Sequence, residues 1–412
     1  MDYQQHITKL QTEVNRAFGR TVTSVYDFEQ LAEKIQLSVQ TLRRFYGKID
    51  KDKQLSTTSL NLICNYIGYA DWQSFCNPIA YSQPNTHHLI NAFYDTVAFS
   101  GATFFDQKLR DTHEAYAELI LKDIPYAYSF LERYKAHPVI TQSLYPWFPY
   151  YDQMAHPSYV QLIEHYLTTN PLEHLRVCQN SFLAYGAFFA SNGGGGGKGS
   201  KTINKVEKYV KNADKYIESI YKEYPDSFFH YPETRYTIAK VIQAHLHGNE
   251  NQVVSIAEAA LNRNLSAKPL HVFGEYFHTP DILISKLCNA LIWMGRIDFA
   301  IEIYNSFSEE LFLSEDPVEH QSKNFVYERD TNFAAQTVEM LHLFDDSIPL
   351  LESKRQPHWK TQYYEEIQQY LIALKRTKKT KLSQRHAIKE QLQQLAKKLN
   401  YGIVDNIIKI FS

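Results

Sequence analysis

The chain holds 412 residues, 44% of them hydrophobic, 14% aromatic and 21% charged, with 43 Lys and Arg against 45 Asp and Glu. That length corresponds to two or three domains, or to one small domain plus a repeat array, and is ample for a large buried core. The opening residues Met1–His6 carry an acid and no apolar stretch, so no signal peptide is read there. The uncharged, largely apolar run Ser181–Ala190 is far short of the roughly 20 residues a membrane span needs. Four cysteines without a CxxC pair (Cys64, Cys76, Cys178, Cys288) fit reduced thiols in a cytoplasmic protein better than a disulfide framework or a zinc finger. Charge is spread unevenly: residues 1–80 carry a net +1, 81–374 a net −11 and 375–398 a net +8.

Between residues 28 and 47 the chain reads FEQLAEKIQLSVQTLRRFYG. Leu31, Ala32 and Ile35 form the apolar face of a first helix, and the small Ala32 lets a second helix approach closely. Ser38 is a good N-cap for that second helix, Leu42 lies on its buried face, and Phe45 and Tyr46 close it at Gly47. This is helix-turn-helix spacing. A further helix follows, capped by Ser56, carrying Leu60, Ile63, Tyr66 and Ile67 and ending at Gly68, with Trp72 and Phe75 completing a small core.

On these residues, segment 25–76 resembles the DNA-binding domain of the lambda-repressor-like (XRE-type) regulators. The resemblance implies that the second helix enters a major groove, with Ser38 at its start and Gln40, Thr41, Arg43 and Arg44 exposed. Gln can pair with adenine, and Arg with guanine or a phosphate. Lys48, Lys51 and Lys53 would hold phosphate in the following loop. One such domain makes few phosphate contacts, so duplex DNA as a partner implies a homodimer on two half-sites. The alternative is a non-enzymatic helical scaffold that keeps this fold and docks proteins, with Arg43 and Arg44 merely solvated; Glu29, Glu33, Asp50 and Asp52 lie close by.

Asn77-Pro78 and Ser82-Gln83-Pro84 read as a linker, which places domains at 1–80 and 81–412. Apolar residues then recur at helical spacing, as in Leu283, Leu287, Ala290, Leu291 and Met294, and no alternating segments closed by tight-turn dipeptides occur. The expected fold is all-α throughout. The Gly-rich segment 191–200 fails the phosphate-loop pattern, because Asn192 stands where the first Gly is needed and Gly199 where Ser or Thr follows the Lys. It reads as a flexible linker.

The stretch 287–307 places Leu287, Cys288 and Leu291 before Gly295, and Ala300, Tyr304 and Phe307 after it. Small residues at 288 and 300 let two antiparallel helices meet, and Gly295 makes the turn. It resembles a tetratricopeptide (TPR) unit, departing from it at Phe307. A weaker echo centres on Gly248, 47 residues earlier, which points to an irregular helical-hairpin solenoid. Such a solenoid offers a groove for a peptide or protein ligand. Tyr145, Tyr150, Tyr151, Tyr159 and Tyr166 either line a binding surface or pack between helices. The basic segment 375–398 contacts an acidic partner or forms a solvated loop and a helix with Leu392, Leu395 and Leu399 on one face.

No HExxH or GxSxG occurs, and His245-x-His247 has the wrong spacing for one helical face. The expectation is therefore no catalytic residue, no metal and no cofactor, with no membrane partner. Together the two resemblances make the chain similar to bacterial peptide-sensing regulators, in which an effector bound to the helical domain controls transcription.

Overall fold

The computed structural model describes residues 3–49, 54–69, 71–76, 86–96, 107–135, 137, 150–169, 172–191, 199–228, 230–266, 268–269, 281–312, 324–350 and 359–412. The all-α expectation holds: among these residues the only strands are a two-residue parallel pair, Ser227–Phe228 with Lys268–Pro269. The linker and Gly-rich readings fall on 77–84 and 192–198, outside the described residues. The chain divides into two compact units, 1–147 and 148–412.

The first unit holds α1 (Tyr3–Phe18), α2 (Val25–Ile35), α3 (Val39–Phe45), α4 (Thr57–Tyr66), α5 (Trp72–Cys76), α6 (Thr86–Thr96), α7 (Gln107–Lys122) and α8 (Ile124–Tyr134). Its core joins Ile7, Leu10 and Val14 of α1 to Phe28, Leu31, Ala32 and Ile35 of α2, Leu42 and Phe45 of α3, Leu60, Ile63 and Cys64 of α4, and Phe75 of α5. Each set recurs at three or four residues, so each helix turns one stripe inward. Around Asp95 of α6, Arg133 approaches at 2.6 Å and the Tyr134 hydroxyl donates at 3.0 Å, tying α8 to α6.

The second unit holds α9 (Pro157–Thr169), α10 (Glu173–Phe189), α11 (Gly199–Glu223), α12 (His230–Leu246), α13 (Glu250–Ser266), α14 (Asp281–Trp293), α15 (Ile297–Phe312), α16 (Asn324–His342), α17 (Gln362–Arg376), α18 (Leu382–Leu399) and α19 (Val404–Phe411). The turns expected at Gly248 and Gly295 are present, with φ of +67° and +76°, conformations that favour glycine. Cys288 and Ala300 are both buried, and the Cys288 thiol lies 3.5 Å from the Ala300 carbonyl, so small residues do bring α14 and α15 together. Phe307 sits at a break in α15, with non-helical φ and ψ of −130° and 17°. Tyr150, Tyr151, Tyr159 and Tyr166 are buried, as packing residues are, and Tyr145 lies outside the described residues. Leu392 and Leu399 of α18 are buried and Leu395 is half-buried, so that face packs inward. Part of the basic segment is structural too: Arg385 donates to the carbonyls of Leu374, Thr377 and Ser412 at 3.0, 2.7 and 2.7 Å.

A short segment, Tyr150–Ala155, gathers distant parts of this unit. The Asp152 carboxylate accepts from the Tyr363 and Tyr364 amides at 3.0 and 2.8 Å, capping α17. Tyr401 donates to the Tyr151 carbonyl, and Asn400 to the Ala155 carbonyl at 2.7 Å. On the other side α10 comes so close that a Cβ at Gly186 would stand 2.2 Å from the Met154 carbonyl oxygen. That neighbour is backbone, so it yields only by moving the segment. Gly186→Ala is expected to destabilise the protein by about 1–3 kcal/mol, read by chemical denaturation; an unchanged midpoint would contradict the close approach.

Candidate nucleic-acid interface

Helices α2 and α3 are joined by three residues, Gln36, Leu37 and Ser38. At the start of α2, Ser24 and Asp27 form a reciprocal capping box: the Asp27 amide donates to the Ser24 hydroxyl at 3.1 Å and the Ser24 amide to the Asp27 carboxylate at 2.9 Å. Backbone and side-chain hydrogen bonds from Ser24 hold the Asp27 carboxyl down at about 2. Arg20 adds an ion pair at 2.8 Å. Gln36 ends α2 in the left-handed region, φ 59°.

Ser38 caps α3 as its sequence position predicts, its hydroxyl accepting from the Thr41 amide at 3.1 Å and sharing a hydrogen bond with the Thr41 hydroxyl at 2.8 Å. Leu42 and Phe45 are fully buried. Of the other expected contact residues, Gln40 and Lys48 are exposed, and Thr41, Arg43 and Arg44 are half-buried. Lys51 and Lys53 lie outside the described residues. The structure thus brings Ser38, Gln40, Thr41, Arg43 and Arg44 onto one seven-residue helix, with Lys48 just beyond its end.

Residues outside the 25–76 motif hold this helix in place. Gln11 of α1 donates to the Phe45 carbonyl at 2.6 Å, so the end of α3 is held by α1. Asn15 of α1 accepts from the Tyr46 hydroxyl at 2.9 Å and from the Val22 amide at 3.1 Å. These positions are 31 and 34 residues from their α3 partners. The one local signal that was available is Ser24-x-x-Asp27, a capping-box pattern just ahead of the apolar run.

The charge here is modest. Lys34 of α2 reaches Glu132 of α8 at 3.7 Å, and Glu29 and Glu33 are exposed on α2. Val25 and Tyr26 are both 62% exposed at the first turn of α2, which the sequence reading did not single out.

Elsewhere, no group of three or more His, Cys, Asp or Glu able to hold a metal occurs among the described residues. No helix among them is long and apolar enough to cross a membrane. Cys178 and Cys288 are buried free thiols, and burial raises both, Cys288 to about 12. Two of the buried carboxylates of the second unit, Asp152 and Glu365, belong to one helix start. Burial pushes Asp152 up to about 6 against the pull of the Tyr363 and Tyr364 amides. Burial pushes Glu365 up to about 7, opposed by the Thr361 hydroxyl and reinforced by the charge of Asp152. Comparison with family models, curated proteins and solved structures finds no match to this chain.

Two expectations follow for stability. Ser38→Ala removes the cap of α3 and should cost about 1 kcal/mol in denaturation. Glu365 keeps its proton to a higher pH in the folded chain than in the unfolded one, so it takes up a proton on folding. Its contribution is complete below about pH 4.5 and declines as the pH rises to about 7. Relative to Glu365→Gln, the wild-type chain should lose about 2–3 kcal/mol across that window. Parallel stability curves for the two proteins would rule this out.

Proposed function

We propose that the protein is a DNA-binding transcriptional regulator in which α3 enters the major groove and the second unit carries the effector and dimer contacts. The observation that carries this reading is the division of α3. Leu42 and Phe45 are buried, while Gln40 is exposed and Thr41, Arg43 and Arg44 retain part of their surface. An α-helix with its side chains is about 10–12 Å across and fits a groove about 12 Å wide. Arg offers paired donors to guanine, Gln one donor and one acceptor to adenine, and Lys48 a point charge to a phosphate. In the second unit, α12 with α13 and α14 with α15 are helical hairpins with three-residue connections. They support the TPR-like reading and a peptide or protein ligand in the groove of a helical stack. For a ligand to act on DNA binding, it must favour one dimer geometry over another.

Exposed Glu29 and Glu33 on α2 favour a second reading, a scaffold that docks a basic protein surface. Fluorescence anisotropy with a mixed-sequence duplex over a salt series separates the two. Wild-type protein should bind with a steep salt dependence. Arg43→Ala combined with Arg44→Ala should weaken binding and reduce the log–log slope by about 2, at roughly 0.9 per lost phosphate contact. Absence of duplex affinity at low salt leaves the scaffold.

A further inference from the structure

The second unit holds a half-buried guanidinium that makes no ion pair among the described residues. Arg235 of α12 lies over the ring of Phe182 of α10, 5.4 Å from its centroid. Its Nε and Nη1 atoms are shielded from solvent and have no hydrogen-bond acceptor among the described residues. None of the ion pairs among those residues involves it. Other shielded cations of the unit are satisfied: Arg263 reaches Glu233 at 3.0 Å, and Arg385 donates to three carbonyls. A guanidinium carries five N–H donors in a planar fork that matches a carboxylate. Buried N–H groups of this kind are normally bonded to protein, to ordered water or to a bound group, so the two on Arg235 call for an explanation.

The surroundings indicate what kind of partner fits. Phe182 is buried beneath the guanidinium and meets Tyr151 edge-on at 5.5 Å. Tyr159 of α9, within the field of Arg235, meets Tyr150 at 5.8 Å, and Tyr150 meets Trp359 at 5.1 Å. Arg235 is the cation that meets Phe182 and acts on Tyr159, and the buried Lys360 lies over Trp359 at 5.8 Å, at the far end of this row. A phosphate dianion asks for more charge than this. A monoanion with a flat apolar body matches both the charge and the rings.

We propose that Arg235 anchors a binding site between α9, α10 and α12 for a small aromatic carboxylate, whose oxygens accept from the buried guanidinium nitrogens while its ring packs beside Phe182 and Tyr159. The site stands on Arg235 and its neighbours; its role as the effector site rests on the regulator reading.

The test is the melting temperature of the full chain at constant ionic strength, with millimolar benzoate, benzamide or inorganic phosphate. Benzoate should raise it by several degrees in a concentration-dependent way, and benzamide and phosphate should not. Arg235→Met should abolish the benzoate shift, and Arg235→Lys should retain part of it. A benzoate effect no larger than that of benzamide in the wild-type chain overturns the proposal, whether or not the variants fold. So does a shift that survives in Arg235→Met, or a phosphate shift equal to that of benzoate. Duplex anisotropy separates this from the regulator reading: a benzoate shift without duplex binding keeps the site and removes its regulatory role.

Discussion

Seven residues do not hold a helix in water, because nucleation costs more than so few hydrogen bonds return. α3 therefore exists on the strength of two side chains, Leu42 and Phe45, three residues apart and both inside the core. Their burial decides which way every other residue of the helix points. Position 40 keeps its exposure, and 41, 43 and 44 part of theirs, because 42 and 45 lose theirs. The hydroxyl of Ser38 satisfies one end, and Gln11 holds the carbonyl of Phe45 at the other. An outward row of Gln, Thr and two Arg is thus the by-product of an apolar anchor, and its fixed geometry makes recognition of a regular lattice such as a duplex physically reasonable.

How much of this is legible in the chain depends on distance along it. Ser38 and Ser56 as caps, Leu42 as a core residue, and the turns at Gly248 and Gly295 rest on local rules of hydroxyl capping, helical period and positive φ. Those rules act within one or two helical turns, so they survive without tertiary information. Gln11 and Asn15 were not legible. They are ordinary polar residues on an amphipathic helix, and only the packing of α1 across the end of α3 gives them their bonds. The shielding of Arg235 Nε and Nη1, without an acceptor among the described residues, is equally hidden, because an arginine in a helical pattern reads as a solvated one until its surroundings are known.

The second unit shows the same principle at longer range. Asp152 is an unremarked acid in a Tyr-rich stretch, yet it caps α17 and shares that helix start with Glu365. Both carboxyls sit above the usual carboxylate range because burial outweighs the hydrogen bonds they accept. Arg385 closes the opposite end of α17 by bonding the carbonyls of Leu374 and Thr377. The helix is held at both termini by side chains from other elements, and Tyr364 within it donates to Asn289 of α14 at 2.5 Å.

The bonds from Asp152 to Tyr363 and Tyr364 span 211 and 212 residues. A ribosome working at about 5–20 residues per second takes on the order of 10 to 40 seconds to deliver the second partner after the first. Throughout that interval Tyr150 and Tyr151 can meet Tyr159, Phe182 and Tyr185, while the Asp152 carboxylate lacks the α17 amides that it accepts from. The cap of α17 therefore forms only after α17 has emerged, so this part of the second unit closes late in synthesis.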